Sequence, residues 1–104
     1  MINVSVLYPN KDGAKFDMGY YLKSHIPMCK KVLGAALKSV VVESGLGGAA
    51  PGSKPTYSAI AHLRFDSLES FQAAFGPVAG QIQGDVKNYS SVEPVVQISE
   101  IKLS

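Results

Sequence analysis

Residues 57–78 read Tyr-Ser-Ala-Ile-Ala-His-Leu-Arg-Phe-Asp-Ser-Leu-Glu-Ser-Phe-Gln-Ala-Ala-Phe-Gly-Pro-Val, and their apolar period lengthens at Asp66. Before that point Tyr57, Ala59, Ala61, Leu63 and Phe65 alternate with Ser58, Ile60, His62 and Arg64, the pattern of a strand with two distinct faces. Beyond it Leu68, Phe71, Ala74, Phe75 and Val78 recur at helical spacing, and Asp66 with Glu69 three positions later resembles a capping box. A strand that gives way directly to a helix is half of a βαβ unit, and the rest of the chain has to be fitted around it.

Upstream, Leu37 to Ser44 holds the β-branched run Val40-Val41-Val42, so two strands flank the segment Gly45 to Pro55 as a long hairpin loop. Its Gly-Leu-Gly-Gly-Ala-Ala-Pro-Gly lacks the Gly-Lys-Ser/Thr ending of a phosphate-binding loop, and nucleotide binding is not expected. Further upstream, Met18 to Leu33 predicts an amphipathic helix. Met18, Leu22, His25, Cys29 and Val32 share a narrow face, Tyr21, Met28 and Leu33 edge it, and Lys23, Lys30 and Lys31 lie outside. Asp17 is suited to cap this helix, and Phe16 with Tyr21 has the spacing of a hydrophobic staple. Pro27 has no amide for the carbonyl of Lys23, which predicts a kink or a restart. Ile2 to Tyr8 reads as the first strand, closed by the turn residues Pro9 to Gly13.

Downstream, Gly76-Pro77 interrupts the second helix, and Pro77 is placed to open a further helical piece carrying Val78 and Ile82 before Gly84 ends it. Val92 or Glu93 through Leu103 is the last strand. The order βαββαβ predicts one α+β domain over residues 1–104 of the ferredoxin-like kind, a four-stranded antiparallel sheet with both helices on one face. The strands read as apolar on both faces: Ile2, Val4, Val6 and Tyr8 alternate with Leu7, and Val95, Ile101 and Leu103 with Val96 and Ile98. Two helices cover one face only, so an identical sheet is the expected partner of the other, giving a homodimer of the α/β-barrel type.

Composition narrows the function. Charged residues make up 17% of the 104, and the ten Lys and Arg against eight Asp and Glu are scattered, so no basic stripe suits a nucleic acid. No run reaches the roughly 20 apolar residues of a membrane span, and the start of the chain reads as a strand rather than a leader, which makes a cytoplasmic location the expectation. The lone Cys29 has no internal disulfide partner.

His25 is the most informative residue. An imidazole in the middle of an apolar stripe is either a functional base or hydrogen-bond partner lining a cavity, or a satisfied core histidine. Tyr21, one turn earlier, reaches the same region with its hydroxyl, while Tyr20 is expected to face away. Cys29, one turn later, has the spacing of a thiolate–imidazole pair and equally that of an inert buried thiol. On the strand, the small Ala59 and Ala61 leave room under the helices for a pocket, whereas His62 lies on the opposite face, as a secondary candidate or an interfacial group. Tyr89 offers a further hydroxyl, and the Asp85–Asn88 stretch before it reads as a turn. Two histidines without an acidic residue at ligand spacing predict no metal.

Phe16-Asp17-Met18-Gly19-Tyr20-Tyr21-Leu22-Lys23-Ser24-His25-Ile26-Pro27 resembles the Phe-Asp, Tyr-Tyr, His-x-Pro signature of the EthD family, Phe65 to Phe71 resembles that family's entry into its second helix, and Asp85 to Tyr89 its Asp-x-x-Asn-Tyr segment. The resemblance implies the dimeric α/β-barrel superfamily, whose members include cofactor-free monooxygenases, polyketide cyclases and muconolactone isomerases. The family takes its name from a protein associated with ethyl tert-butyl ether degradation by a monooxygenase system. Two functions follow as expectations. One is an enzyme, without cofactor, that isomerises, cyclises or oxygenates a small apolar or aromatic metabolite with His25 and Tyr21 as catalytic groups and Leu22, Cys29, Ala59, Ala61 and Tyr89 around the substrate. The other is a non-catalytic binding or accessory protein for a partner monooxygenase, with His25 and Tyr21 as polar anchors.

Overall fold

The computed structural model describes residues 1–104. Strand β1 covers Ile2–Pro9, β2 Ser39–Ser44, β3 Tyr57–Phe65 and β4 Val95–Glu100. They form one antiparallel sheet in the order β2-β3-β1-β4, the ferredoxin-like arrangement, with the first and second helical runs joining the strands as βαβ halves. β3 matches the expected strand from end to end, because both of its faces are patterned. β4 stops at Glu100, and Leu103, expected within it, is 94% exposed.

Register sorts the side chains into two faces. Val4 stands opposite Leu63 and Ile98, and Val6 opposite Ala61 and Val96, so these share the helix side with Ile2, Tyr8, Ala59 and Phe65. The other side is more polar than its alternation suggested. One cross-strand row, Glu43-Ile60-Leu7-Val95, is apolar beyond Glu43, but the next rows run Val41-His62-Ser5-Gln97 and Ser39-Arg64-Asn3-Ser99. The expectation of two uniformly apolar faces is therefore corrected: Leu7 and Val95 are exceptions in a mixed face, and Ile101 and Leu103 lie beyond the strand.

The first helical run is continuous from Met18 to Leu33 but changes its winding. Helix α1 (Met18–Tyr20) starts at Asp17, whose carboxylate accepts from the amide of Tyr20 at 3.0 Å, and Phe16 packs edge-on to Tyr21 at 5.1 Å as the staple requires. Residues Tyr21–His25 are π-helical, with the amide of Ile26 donating to the carbonyl of Tyr21, and helix α2 (Ile26–Leu33) follows. Pro27 thus enters a widened turn instead of breaking the helix. Its missing donor is accommodated where the bonding has already lengthened to five residues. Gly34 then ends the run with a positive φ of 61°.

Helix α3 (Leu68–Phe75) is capped by Ser67, whose hydroxyl accepts from the amide of Ser70 at 3.1 Å; the expected cap at Asp66 is displaced by one residue. Gly76–Val78 passes as a 3₁₀ turn into helix α4 (Ala79–Gly84), and a last 3₁₀ turn, Val86–Asn88, precedes Tyr89. The core has two lobes. Ile2, Val4, Cys29, Leu33, Phe65 and Phe71 form one, and Tyr8, Tyr21, Ile26, Ala59, Ala61 and Tyr89 the other. Burying a side chain such as Phe65 contributes roughly 1.5–3 kcal/mol, so the first lobe anchors both helical runs to the sheet. The second lobe, rich in tyrosines, is where the polar chemistry gathers.

Candidate functional site

Three backbone ties bring the segment after α4 against the start of the first helical run. Asp17 donates its amide to the carbonyl of Tyr89 at 2.8 Å, Ser91 donates to that of Lys15 at 3.0 Å, and Phe16 bridges Ser90. The Asp85–Tyr89 turn is thereby held over the π-helical turn, whose wider winding places both Tyr21 and His25 inward.

His25 is 4% exposed, and its Nδ1 lies 2.9 Å from Oδ2 of Asp85. The other carboxylate oxygen, Oδ1, accepts from the hydroxyl of Tyr20 at 2.7 Å and from the Asn88 amide at 2.9 Å. Burial pushes the Asp85 pKa up, but the hydrogen bonds from Asn88, His25 and Tyr20 outweigh it and hold the carboxyl below its usual range. An ionised carboxylate only accepts, so Nδ1 carries a proton, and in the neutral imidazole it is Nε2 that presents the lone pair.

That lone pair faces two weakly placed neighbours, the Tyr89 hydroxyl at 3.3 Å and the Cys29 sulfur at 3.5 Å. Behind Tyr89, the hydroxyl of Tyr8 lies 2.7 Å from its own. Tyr21 stacks on the imidazole with ring centroids 5.3 Å apart and planes 15° from parallel. Burial raises the pKa of Tyr8, Tyr21 and Tyr89 above the ordinary phenol value, so all three remain neutral hydroxyls at neutral pH. Cys29 is pushed up to about 11, first by burial and then by the negative charge of Asp85. The thiolate–imidazole alternative is disfavoured on that ground: the thiol keeps its proton and packs.

These groups open onto a cavity of about 310 Å³ between sheet and helices, apolar over most of its wall. Leu33, Phe65 and Phe71 line it from the first lobe and Tyr8, Tyr21 and Tyr89 from the second, while Val96 and Ile98 of β4 form a side that no helix covers.

Of the residues expected at a site, Tyr21, His25, Cys29 and Tyr89 come together here. Leu22 does not. It is 49% exposed, because the π-helical winding turns it outward while keeping Tyr21 and His25 in. Ala59 and Ala61 are fully buried but do not wall the cavity; the space they leave is filled by the tyrosines and Ile26 of their lobe. His62 lies on the opposite sheet face, 3.0 Å from Glu43 Oε1 and 3.3 Å from the Asn3 amide. Tyr20, expected to face away, instead holds Asp85. Asp85 and Tyr8 were missed altogether, since the partners of His25 and Asp85 are 60 and 65 positions distant. The one signal available was the Asp-x-x-Asn-Tyr spacing of residues 85–89. No three His, Cys, Asp or Glu side chains group anywhere as metal ligands, and no helix is long and apolar enough to cross a membrane.

Fold and site together define a ferredoxin-like α+β protein with a histidine–aspartate pair at a cavity between sheet and helices. The EthD domain matches residues 12–93, and the chain belongs to the EthD family. An EthD-like protein from Ralstonia eutropha JMP134 is 43% identical and superposes with a TM-score of 0.93, the match covering 98% of this chain and 92% of that one. A protein of the ethyl tert-butyl ether (EthD) family from Bacillus halodurans C-125 shares the fold at 20% identity, with a TM-score of 0.70 and 97% and 98% of the two chains covered. HapK from Hahella chejuensis shares it at 13% identity and a TM-score of 0.57, over 100% and 96%. No curated protein matches the chain.

Proposed function

We propose that this chain is a cofactor-free enzyme that holds a small, largely apolar molecule in the cavity between sheet and helices and takes a proton from it with His25. The observation that carries the reading is the 2.9 Å contact between Nδ1 of His25 and Asp85, which fixes the tautomer and turns the Nε2 lone pair away from the carboxylate. The long contacts of that nitrogen to Tyr89 and Cys29 are weak enough for a substrate group to replace. A proton arriving on Nε2 makes an imidazolium that Asp85 stabilises. In the Tyr8–Tyr89 pair one hydroxyl donates to the other, which leaves one proton, on Tyr89 when Tyr8 donates, for the oxygen on which the substrate's negative charge collects. Isomerisation and cyclisation need no more than such a base and donor in a largely apolar pocket.

The working unit in this proposal is a homodimer formed through the uncovered sheet face. Supporting it is the apolar stretch Ile60-Leu7-Val95 on that face, with Val95 half exposed in the single chain.

The test is substitution of His25 combined with a panel of small aromatic and lactone compounds, read by both binding and turnover. His25→Ala is expected to lower turnover about 10²–10⁴-fold while affinity changes little. Should every compound that binds the wild type pass through unchanged, and His25→Ala simply weaken binding, the chain is a binding or accessory protein for a partner oxygenase.

A further inference from the structure

The cavity constrains what it admits by size and by charge. A buried apolar cavity of about 150 Å³ accommodates one benzene ring, and this one, open along Val96 and Ile98, measures about 310 Å³, the room for two fused rings. Its polar atoms are not spread evenly. Leu33, Phe65 and Phe71 offer only carbon, whereas the hydroxyls of Tyr8 and Tyr89 belong to the other lobe, with the ring of His25 against Tyr89; the Cys29 thiol and the Gln83 amide are further polar groups in the wall. A molecule that fills it therefore has an apolar body and a polar group at one end.

Charge decides the nature of that group. No Lys or Arg lines the cavity, and the nearest full charge is negative: Asp85, kept ionised 2.9 Å behind the imidazole. A carboxylate or phosphate entering here would lose its water, find no permanent cation and face a second anion. A neutral hydroxyl would instead donate to the Nε2 lone pair and accept from Tyr89, taking the position between two groups that now meet only at 3.3 Å.

We infer that the site selects a neutral, hydroxyl-bearing molecule of two fused rings, bound with its hydroxyl between His25 Nε2 and Tyr89, and that it excludes carboxylates of the same shape. This rests on the reading of the cavity as the binding site. Phenols ionise near the tyrosine value of about 10 and carboxylic acids near about 4, so a naphthol and a naphthoate differ in charge at neutral pH while sharing a ring system.

The experiment is calorimetric titration of the intact protein at neutral pH with 2-naphthol, 2-naphthoate, naphthalene and phenol. The chain has no tryptophan, so naphthyl fluorescence provides a second readout. Naphthol is expected to bind more than tenfold tighter than naphthoate, and more than tenfold tighter than phenol because of the apolar surface of its second ring. Asp85→Asn is expected to narrow the gap between naphthol and naphthoate. If naphthoate binds within tenfold of naphthol, charge exclusion is wrong although the cavity binds; if phenol matches naphthol, the two-ring size is wrong. If none of the four binds, naphthalene included, the cavity reading itself fails and this inference falls with it.

Discussion

Asp85 makes three hydrogen bonds through two oxygens, to His25, Tyr20 and Asn88, and these hold its carboxyl below the ordinary range despite burial. Because the folded pKa is the lower one, the unfolded chain takes up the proton first as the pH falls. The stabilisation is full above the value of a free aspartate, about 3.9, and is lost as the pH drops through the lower folded value. Denaturant titrations across the acid range are expected to show this loss in the wild type and not in Asp85→Asn. At neutral pH the same variant is expected to be less stable by about 1–3 kcal/mol, the cost of disturbing charge-assisted bonds. Cys29 gives the opposite kind of expectation. With its pKa pushed up to about 11, the thiol should react with a disulfide reagent at neutral pH at least about 100-fold more slowly than a free cysteine, and at the ordinary rate once unfolded. Rapid labelling of the native protein would overturn that assignment. At this scale the sequence revealed His25, since an imidazole in an apolar stripe is conspicuous, and left Asp85 hidden. A polar residue in a turn looks the same whether it serves its own backbone or a side chain 60 positions away.

The elements explain why the helix face was read one residue wrong. A period of 3.6 placed Leu22 inward beside His25, but five π-helical residues break that period, so that Tyr21 stacks on the imidazole and Leu22 meets solvent. Pro27 announced an irregularity without its form, because the widening occurs in the turn before the proline. Pro27→Ala restores the donor for Lys23 and permits an ordinary α-helical turn. The expected outcome is stability within about 1 kcal/mol of the wild type and a weaker stack of Tyr21 on His25, visible as a change in the His25 ring resonances. Unchanged resonances would mean that packing, not the proline, sets the winding. In the hairpin loop, a Cβ at Gly45 would collide with the Tyr57 carbonyl oxygen and the Pro55 ring. Gly45→Ala is accordingly expected to cost about 1–3 kcal/mol, measured by denaturant unfolding, whereas Gly76→Ala, with open space around it, should not.

At the scale of the molecule, the element order βαββαβ was enough to predict a four-stranded antiparallel sheet of the ferredoxin-like kind, because the βαβ connections leave few ways to arrange four strands. The opposite face was harder to read. Its apolar row Ile60-Leu7-Val95 lies beside two polar rows, and a composite of this kind suits a partner that supplies hydrogen bonds as well as apolar contact. The proposed homodimer can be tested through Ile60, whose side chain lies on that face and away from the cavity. In a monomer, Ile60→Glu replaces a partly exposed apolar group with a charge that water can solvate, and little changes beyond a small repulsion from Glu43, its cross-strand neighbour. In a dimer closed sheet to sheet, the charge is buried between protomers and association weakens. Light scattering on the wild type is expected to give twice the 11.0 kDa of one chain, and on Ile60→Glu a single chain with the same helix and strand content by circular dichroism. A wild type that scatters as one chain removes the dimer. A dimer that survives Ile60→Glu moves its interface to another surface, where the uncovered Val96 and Ile98 of β4, at the side of the cavity, become the next residues to charge.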